Sequence, residues 1–85
     1  MSTYKLLDFY ADWCGPCRTL TPIIDQLTGI EIEKINCGTN IIKAQEYHVV
    51  ELPTLLLLKD DEEVARLSKP SPNLENIQKW IKENE

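Results

Sequence analysis

Asp8-Phe9-Tyr10-Ala11-Asp12-Trp13-Cys14-Gly15-Pro16-Cys17 joins an apolar run to a helical pattern. Residues 4–10 are mostly apolar and aromatic and predict a buried strand, with one acid, Asp8, set among Leu6, Leu7 and Phe9. Beyond the turn, Leu20, Ile23, Ile24 and Leu27 recur at helical spacing, and Gly29 stands where a helix stop is expected. The two cysteines therefore open an amphipathic helix. At i and i+3 their side chains share one face, about 5–6 Å apart between Cβ atoms, near enough for a disulfide to close and reopen. A helix N-terminus favours a thiolate, which makes Cys14 the expected nucleophile, while Cys17, one turn further in, is the expected resolving thiol. Gly15 permits a tight turn, and Pro16 presets φ for helix initiation while lacking a donor the first turn would leave unpaired.

Working outward, Pro22 lies inside the helical pattern and should kink it. Residues 30–37 predict a second strand, with Ile30, Ile32 and Lys34 on one face, so that strand, helix and strand make a right-handed parallel βαβ unit. A helix over residues 40–48 leads to Glu51-Leu52-Pro53-Thr54. Residues 55–59 form a strongly apolar strand, Asp60-Asp61-Glu62 a polar turn, and residues 63–68 an antiparallel partner. The last helix begins after Ser71-Pro72, with Leu74, Ile77 and Ile81 as its apolar stripe and Trp80 widening it as packing.

Eighty-five residues with 42% hydrophobic and 27% charged content are expected to make one domain over residues 1–85. A net charge of −5 without a Lys/Arg cluster argues against nucleic acid as a partner. The longest apolar run, residues 55–58, is too short to span a membrane, and no signal-like segment opens the chain, so a soluble cytoplasmic monomer is expected. Three cysteines do not make a secreted disulfide framework. Zinc would need four ligands, and Cys37 and His48 are the only further soft candidates, so no metal is expected. Cys37 reads as a small buried hydrophobe or as a regulatory or dimer-forming thiol, and His48 as a solvated residue.

The stretch from Asp8 to Cys17 resembles the strand and active-site signature of the thioredoxin family. The resemblance continues with Pro22 as the helix-kinking proline, with Lys34-Ile35-Asn36 on the next strand and with Leu52-Pro53-Thr54-Leu55 as the cis-proline segment, and covers nearly the whole chain. It implies a minimal α/β thioredoxin fold, β-α-β-α-β-β-α, with a four-stranded mixed sheet flanked by helices. Two departures stand out. The strand and helix that usually precede the Asp-bearing strand are missing, which suggests a reduced core. Glycines expected in and after the hairpin are replaced by Asp61 and by Lys69-Pro70, which suggests a changed rim to the substrate groove.

For Asp8, the resemblance agrees with elementary electrostatics: an acid in an apolar strand is desolvated and its pKa rises. Asp8 is the expected general base, acting through water, that deprotonates Cys17, with Lys34 as its charge partner; the alternative is a buried ion pair kept only for structure. The resemblance further implies a cis bond before Pro53 that leaves the Leu52 backbone free to pair with an extended substrate, and Trp13 as the other wall beside Cys14. It implies no bound cofactor, recharging by an NADPH-dependent flavoprotein, thioredoxin reductase, and targets such as ribonucleotide reductase, peroxiredoxins or methionine sulfoxide reductases. Two other readings stay open. One is a glutaredoxin-like, glutathione-linked reductase, against which Gly15-Pro16 and the placing of Thr54 after the proline argue. The other is a non-catalytic binding module using the groove around Trp13 and Pro53. An oxidase or isomerase would more often carry histidine between the cysteines.

Overall fold

The structure is a computed structural model and describes residues 2–85. Its elements follow in the order β1 (Tyr4–Tyr10), α1 (Gly15–Ile24), β2 (Glu31–Asn36), α2 (Ile41–Glu46), β3 (Thr54–Lys59), β4 (Glu62–Ser68) and α3 (Leu74–Glu83). The strands make one mixed sheet in the order β2-β1-β3-β4. β1 pairs in parallel with β2 and antiparallel with β3, and β3 with β4 forms the hairpin. This is the β-α-β-α-β-β-α arrangement expected from the sequence.

Alternation along β1 sends Leu6 to one face of the sheet, where it packs with Leu20 and Ile24 of α1 and Ile77 and Ile81 of α3. Leu7 and Phe9 go to the opposite face, against Ala44 of α2 together with Ile35, Leu56 and Leu58. β3 is apolar at both parities for the same reason, since Leu55 and Leu57 face one layer of helix and Leu56 and Leu58 the other. Each of these fully buried leucines contributes roughly 1.5–3 kcal/mol of burial free energy.

The α2 face ends differently. Lys5 of β1 bridges Glu31 and Glu33 of β2, and Lys43 of α2 reaches Glu33 at 2.7 Å, so an ion-pair network covers the sheet where its apolar cover stops. Hydrogen bonds from Lys43 and Lys5 hold the Glu33 carboxyl below the usual carboxylate range.

Several element ends fall short of the sequence expectation. Helix α1 stops at Ile24, before Gly29, because the chain past Pro22 tightens: Asp25 N–H still bonds Thr21 O, but Gln26 and Leu27 bond the Ile23 and Ile24 carbonyls, three residues back. Helix α2 is six residues, ended by a cap the sequence does not advertise. His48 adopts φ 54°, its N–H bonds Gln45 O, and the Val49 N–H bonds Ala44 O, which is a Schellman closure with histidine where glycine is usual. Arg66 of β4 donates to the carbonyls of Tyr47 and His48 and is held by Glu63, so the hairpin pins the chain that runs on to Pro53. The hairpin turn is made by Asp60 and Asp61 at φ 51° and 70°, where positive φ at both central residues suits the twist of the strands.

Arg66→Ala is expected to lower the unfolding free energy by about 1–2 kcal/mol, because it removes charge-assisted bonds at a half-exposed site. Urea denaturation checks this, with amide exchange at residues 47–50 expected to quicken more than that of β1; an unchanged midpoint would contradict the pinning role.

Candidate active site

The site grows out of the short turn between β1 and α1. Cys14 caps α1 in an extended conformation, its own N–H bonding Ala11 O at 3.1 Å, and its Sγ accepts the Cys17 N–H at 3.3 Å. A sulfur that receives a helix N-terminal N–H is the one whose negative charge the helix stabilises. Gly15 and Pro16 occupy the first helical positions, where the missing proline donor is of no consequence. Cys14 and Cys17 are joined in a disulfide, with Cα atoms 5.3 Å apart and both side chains buried. The turn is braced from outside: Arg18 donates to Asp12 O, Asn36 Nδ2 to Asp12 Oδ2 at 3.3 Å, and Gly38 N–H to Asn36 Oδ1 at 2.9 Å. The Cys37 N–H bonds Tyr10 O at 2.7 Å, tying the ends of β1 and β2 together.

Asp8 is 2% exposed and lies on the α1 face of β1, two residues from Leu6. Its Oδ1 has no hydrogen-bond partner. Burial pushes its pKa up to about 6, with the charge of Lys34 pulling down and that of Asp25 pushing up by less. The charge of Lys34 acts on Asp8 without a direct bond between them. Lys34 is the register partner of Asp8 on β2, but its ammonium bonds Asp25 Oδ1 at the end of α1 at 2.5 Å. Its four-carbon stem carries the charge to the half-exposed margin of the sheet, where water solvates it and the C-cap carboxylate meets it. Lys34 therefore acts on Asp8 through its field and not through a direct bond.

Opposite the turn, the Leu52–Pro53 bond is cis. Among the described residues, neither the N–H nor the C=O of Leu52 is taken by another group, although Pro53 O receives the Lys69 N–H at 2.7 Å and Glu51 O the Thr54 hydroxyl at 2.7 Å. Trp13, 75% exposed, and Cys14 line one side of a groove of about 440 Å³, with Glu51, Leu52 and Lys69 also lining it. A hollow of similar size, about 470 Å³, lies at the other end of α1 between residues 27–30 and the close of α3, and it contains no cysteine.

The Thioredoxin family model matches residues 2–83. The chain belongs to the thioredoxin family. The thioredoxin of Chlamydia pneumoniae is 50% identical over 66 residues, a match spanning 73% of this chain and 65% of the relative. That of Staphylococcus epidermidis is 36% identical over 83 residues, spanning 89% and 80%. Among solved structures, the thioredoxin of Fasciola hepatica superposes with a TM-score of 0.86 at 31% identity, covering 98% of this chain and 82% of that one. The sheet order, the Cys14–Cys17 disulfide at the start of α1 and the cis bond before Pro53 are thus found together in a chain of thioredoxin sequence.

Sequence reasoning missed two members of the site. Cys37 lines the groove beside Cys14 instead of lying wholly in the core, and burial, then the Asp8 charge, push its thiol up from its ordinary value. Its position just past the end of β2, on the edge where Trp13 and Cys14 sit, was the available signal. Asn36 braces the active-site turn, a role that no local pattern announces.

Because Asp8 binds a proton more tightly folded than unfolded, its contribution to stability is fully present below the unfolded pKa near 3.8 and is lost as pH rises through about 6. Asp8→Asn is expected to be more stable than wild type at pH 8, by roughly 3 kcal/mol at most, with the difference shrinking as pH falls toward 4. Chemical denaturation of both proteins across this range checks it; a pH-independent difference would contradict the burial of an ionising Asp8.

Proposed function

We propose that this chain is a thiol–disulfide oxidoreductase that reduces protein disulfides through Cys14 and Cys17. The observation that carries the reading is the Cys14–Cys17 disulfide at the α1 N-terminus, facing a groove bounded by the Leu52 backbone, which is unpaired among the described residues. In the dithiol state Cys14 attacks as thiolate. A bond forms between Cys14 Sγ and one target sulfur, the target disulfide breaks, and the departing target thiolate takes a proton from water. Leu52 offers one N–H and one C=O to an extended target segment, which gives affinity with little dependence on side chains. Trp13 shields the mixed disulfide on the other side.

Resolution needs a thiolate at Cys17, whose N–H already bonds Cys14 Sγ. Asp8, with a pKa near 6, is a base of useful strength near neutral pH and acts through an intervening water. Cys17 then attacks Cys14 Sγ, closes the intramolecular disulfide and releases the second target thiolate. Two electrons and two protons pass to the target, and a partner reductase returns them. Thioredoxin reductase is the partner that family membership suggests, and a reducing compartment such as the cytoplasm is where the cycle would run. Among the described residues no helix is long and apolar enough to cross a membrane, and no cluster of side chains is suited to hold a metal ion.

Reduction of insulin disulfides, driven by NADPH and a thioredoxin reductase and run separately with glutathione and glutathione reductase, tests the reading. Activity is expected with the first system. Cys14→Ser should abolish it, whereas Cys17→Ser should lose turnover but accumulate a mixed disulfide detectable by mass. Activity only with glutathione would transfer the chain to a glutaredoxin-like role, and partner binding that survives loss of both cysteines without any reduction would favour a binding module.

A further inference from the structure

Lys69 departs from its surroundings in three ways. It holds φ 49°, a left-handed conformation disfavoured for residues with a side chain, in the segment that joins β4 to α3. Its N–H is fixed to Pro53 O at 2.7 Å, so the backbone is anchored to the residue next to Leu52. Its ammonium makes no ion pair among the described residues, which it shares with Lys59 and Lys82, whereas the six other lysine and arginine side chains are paired or bonded. Strained backbone of this kind is costly and concentrates where a side chain has work beyond packing. Here the strain delivers an unpaired cation to the rim of a groove that otherwise presents Trp13, Leu52 and Cys14. Glu51, the other charged residue of the lining, precedes Pro53 by two residues on the same side of the groove and makes no ion pair with Lys69 among the described residues.

We propose that Lys69 is a specificity-determining residue: the groove takes an extended, disulfide-bearing protein segment that carries a carboxylate side chain beside its cysteine. The inference rests on the exchange reading above and adds the chemistry of the target. With a net charge of −5, the chain as a whole repels acidic segments at long range, so attraction for them must be supplied at contact. Lys69 supplies it within reach of a strand paired to Leu52. Glycine would relieve the backbone at this position, so a lysine here trades stability for charge.

The test uses two peptides, each closed by one disulfide in an otherwise neutral sequence, with Asp flanking the cysteine in one and Lys in the other. Pre-reduced protein acts on each in low salt, peptide thiols are quantified by chromatography, and each rate is divided by that with dithiothreitol to remove intrinsic reactivity. Wild type is expected to favour the Asp peptide by about fivefold, the size of an exposed charge pair gained against one opposed. Lys69→Arg should keep the preference and Lys69→Glu should invert it. Lys69→Gly should bring the ratio near one while raising the melting temperature, a combination that a purely structural lysine would not give. Equal ratios in wild type and Lys69→Gly, or a wild type that favours the Lys peptide, would overturn the proposal while leaving the exchange reading intact. Failure to reduce either peptide would overturn the exchange reading itself, and the selectivity with it.

Discussion

β1 is hydrogen-bonded along both edges, to β2 and β3, and covered by helices on both faces, and that double burial is the constraint on which the other features depend. A strand so enclosed admits only apolar side chains without cost, and Leu6, Leu7 and Phe9 comply. Asp8 does not. Its carboxyl is desolvated with one oxygen unpartnered, and the protein holds it protonated up to about pH 6 instead of satisfying it with a direct ion pair. The same strand ends at Tyr10, so the turn that follows must bring the chain from the centre of the sheet to the start of α1 within a few residues. Cys14 and Cys17 occupy the place where that crossing ends, with the Cys17 N–H directed at the Cys14 sulfur. Asp8 and the Cys14–Cys17 pair are thus positioned by one strand and the turn leaving it.

The facing side of the groove depends on a different chain of contacts. Arg66 on β4 ties the end of α2 to the hairpin, the loop runs on to the cis bond before Pro53, and Lys69 closes the circuit by bonding Pro53 O. The Leu52 backbone, unpaired among the described residues, is held in a frame whose members are all bonded to something else. Rigid surroundings around one open donor and one open acceptor suit the capture of an extended segment, because little ordering cost falls on the protein when the segment arrives.

Much of this was legible in the sequence, and the parts that were not share a physical reason. The strands, the helix that carries Pro22, the hairpin and the cysteine pair follow from periodicity and from short-range chemistry, in which the signal and its cause lie within a few residues. The ends of α1 and α2 do not, because α1 closes through i→i−3 bonds at Gln26 and Leu27 ahead of Gly29, and His48 stands where glycine would have marked the stop of α2. The bond that Lys34 makes is not legible for a related reason. Strand parity gives the side on which it leaves the sheet, but its long stem chooses the endpoint, and the carboxylate it finds, Asp25, is nine residues away in sequence on another element. The ion-pair network of Lys5, Glu31, Glu33 and Lys43 joins three elements and has no linear signature. Lys69 lies at the groove rim, as the departure at Lys69-Pro70 suggested, and Cys37 reaches the same groove from just past the end of β2.

The most direct test of this account is to equilibrate the protein in dithiothreitol buffers of graded redox ratio, quench in acid, alkylate the free thiols and locate the labels by mass spectrometry. The account predicts a single two-electron transition in which Cys14 and Cys17 gain and lose their labels together while Cys37 stays labelled throughout. Separate transitions at Cys14 and Cys17, or a disulfide that includes Cys37, would contradict it.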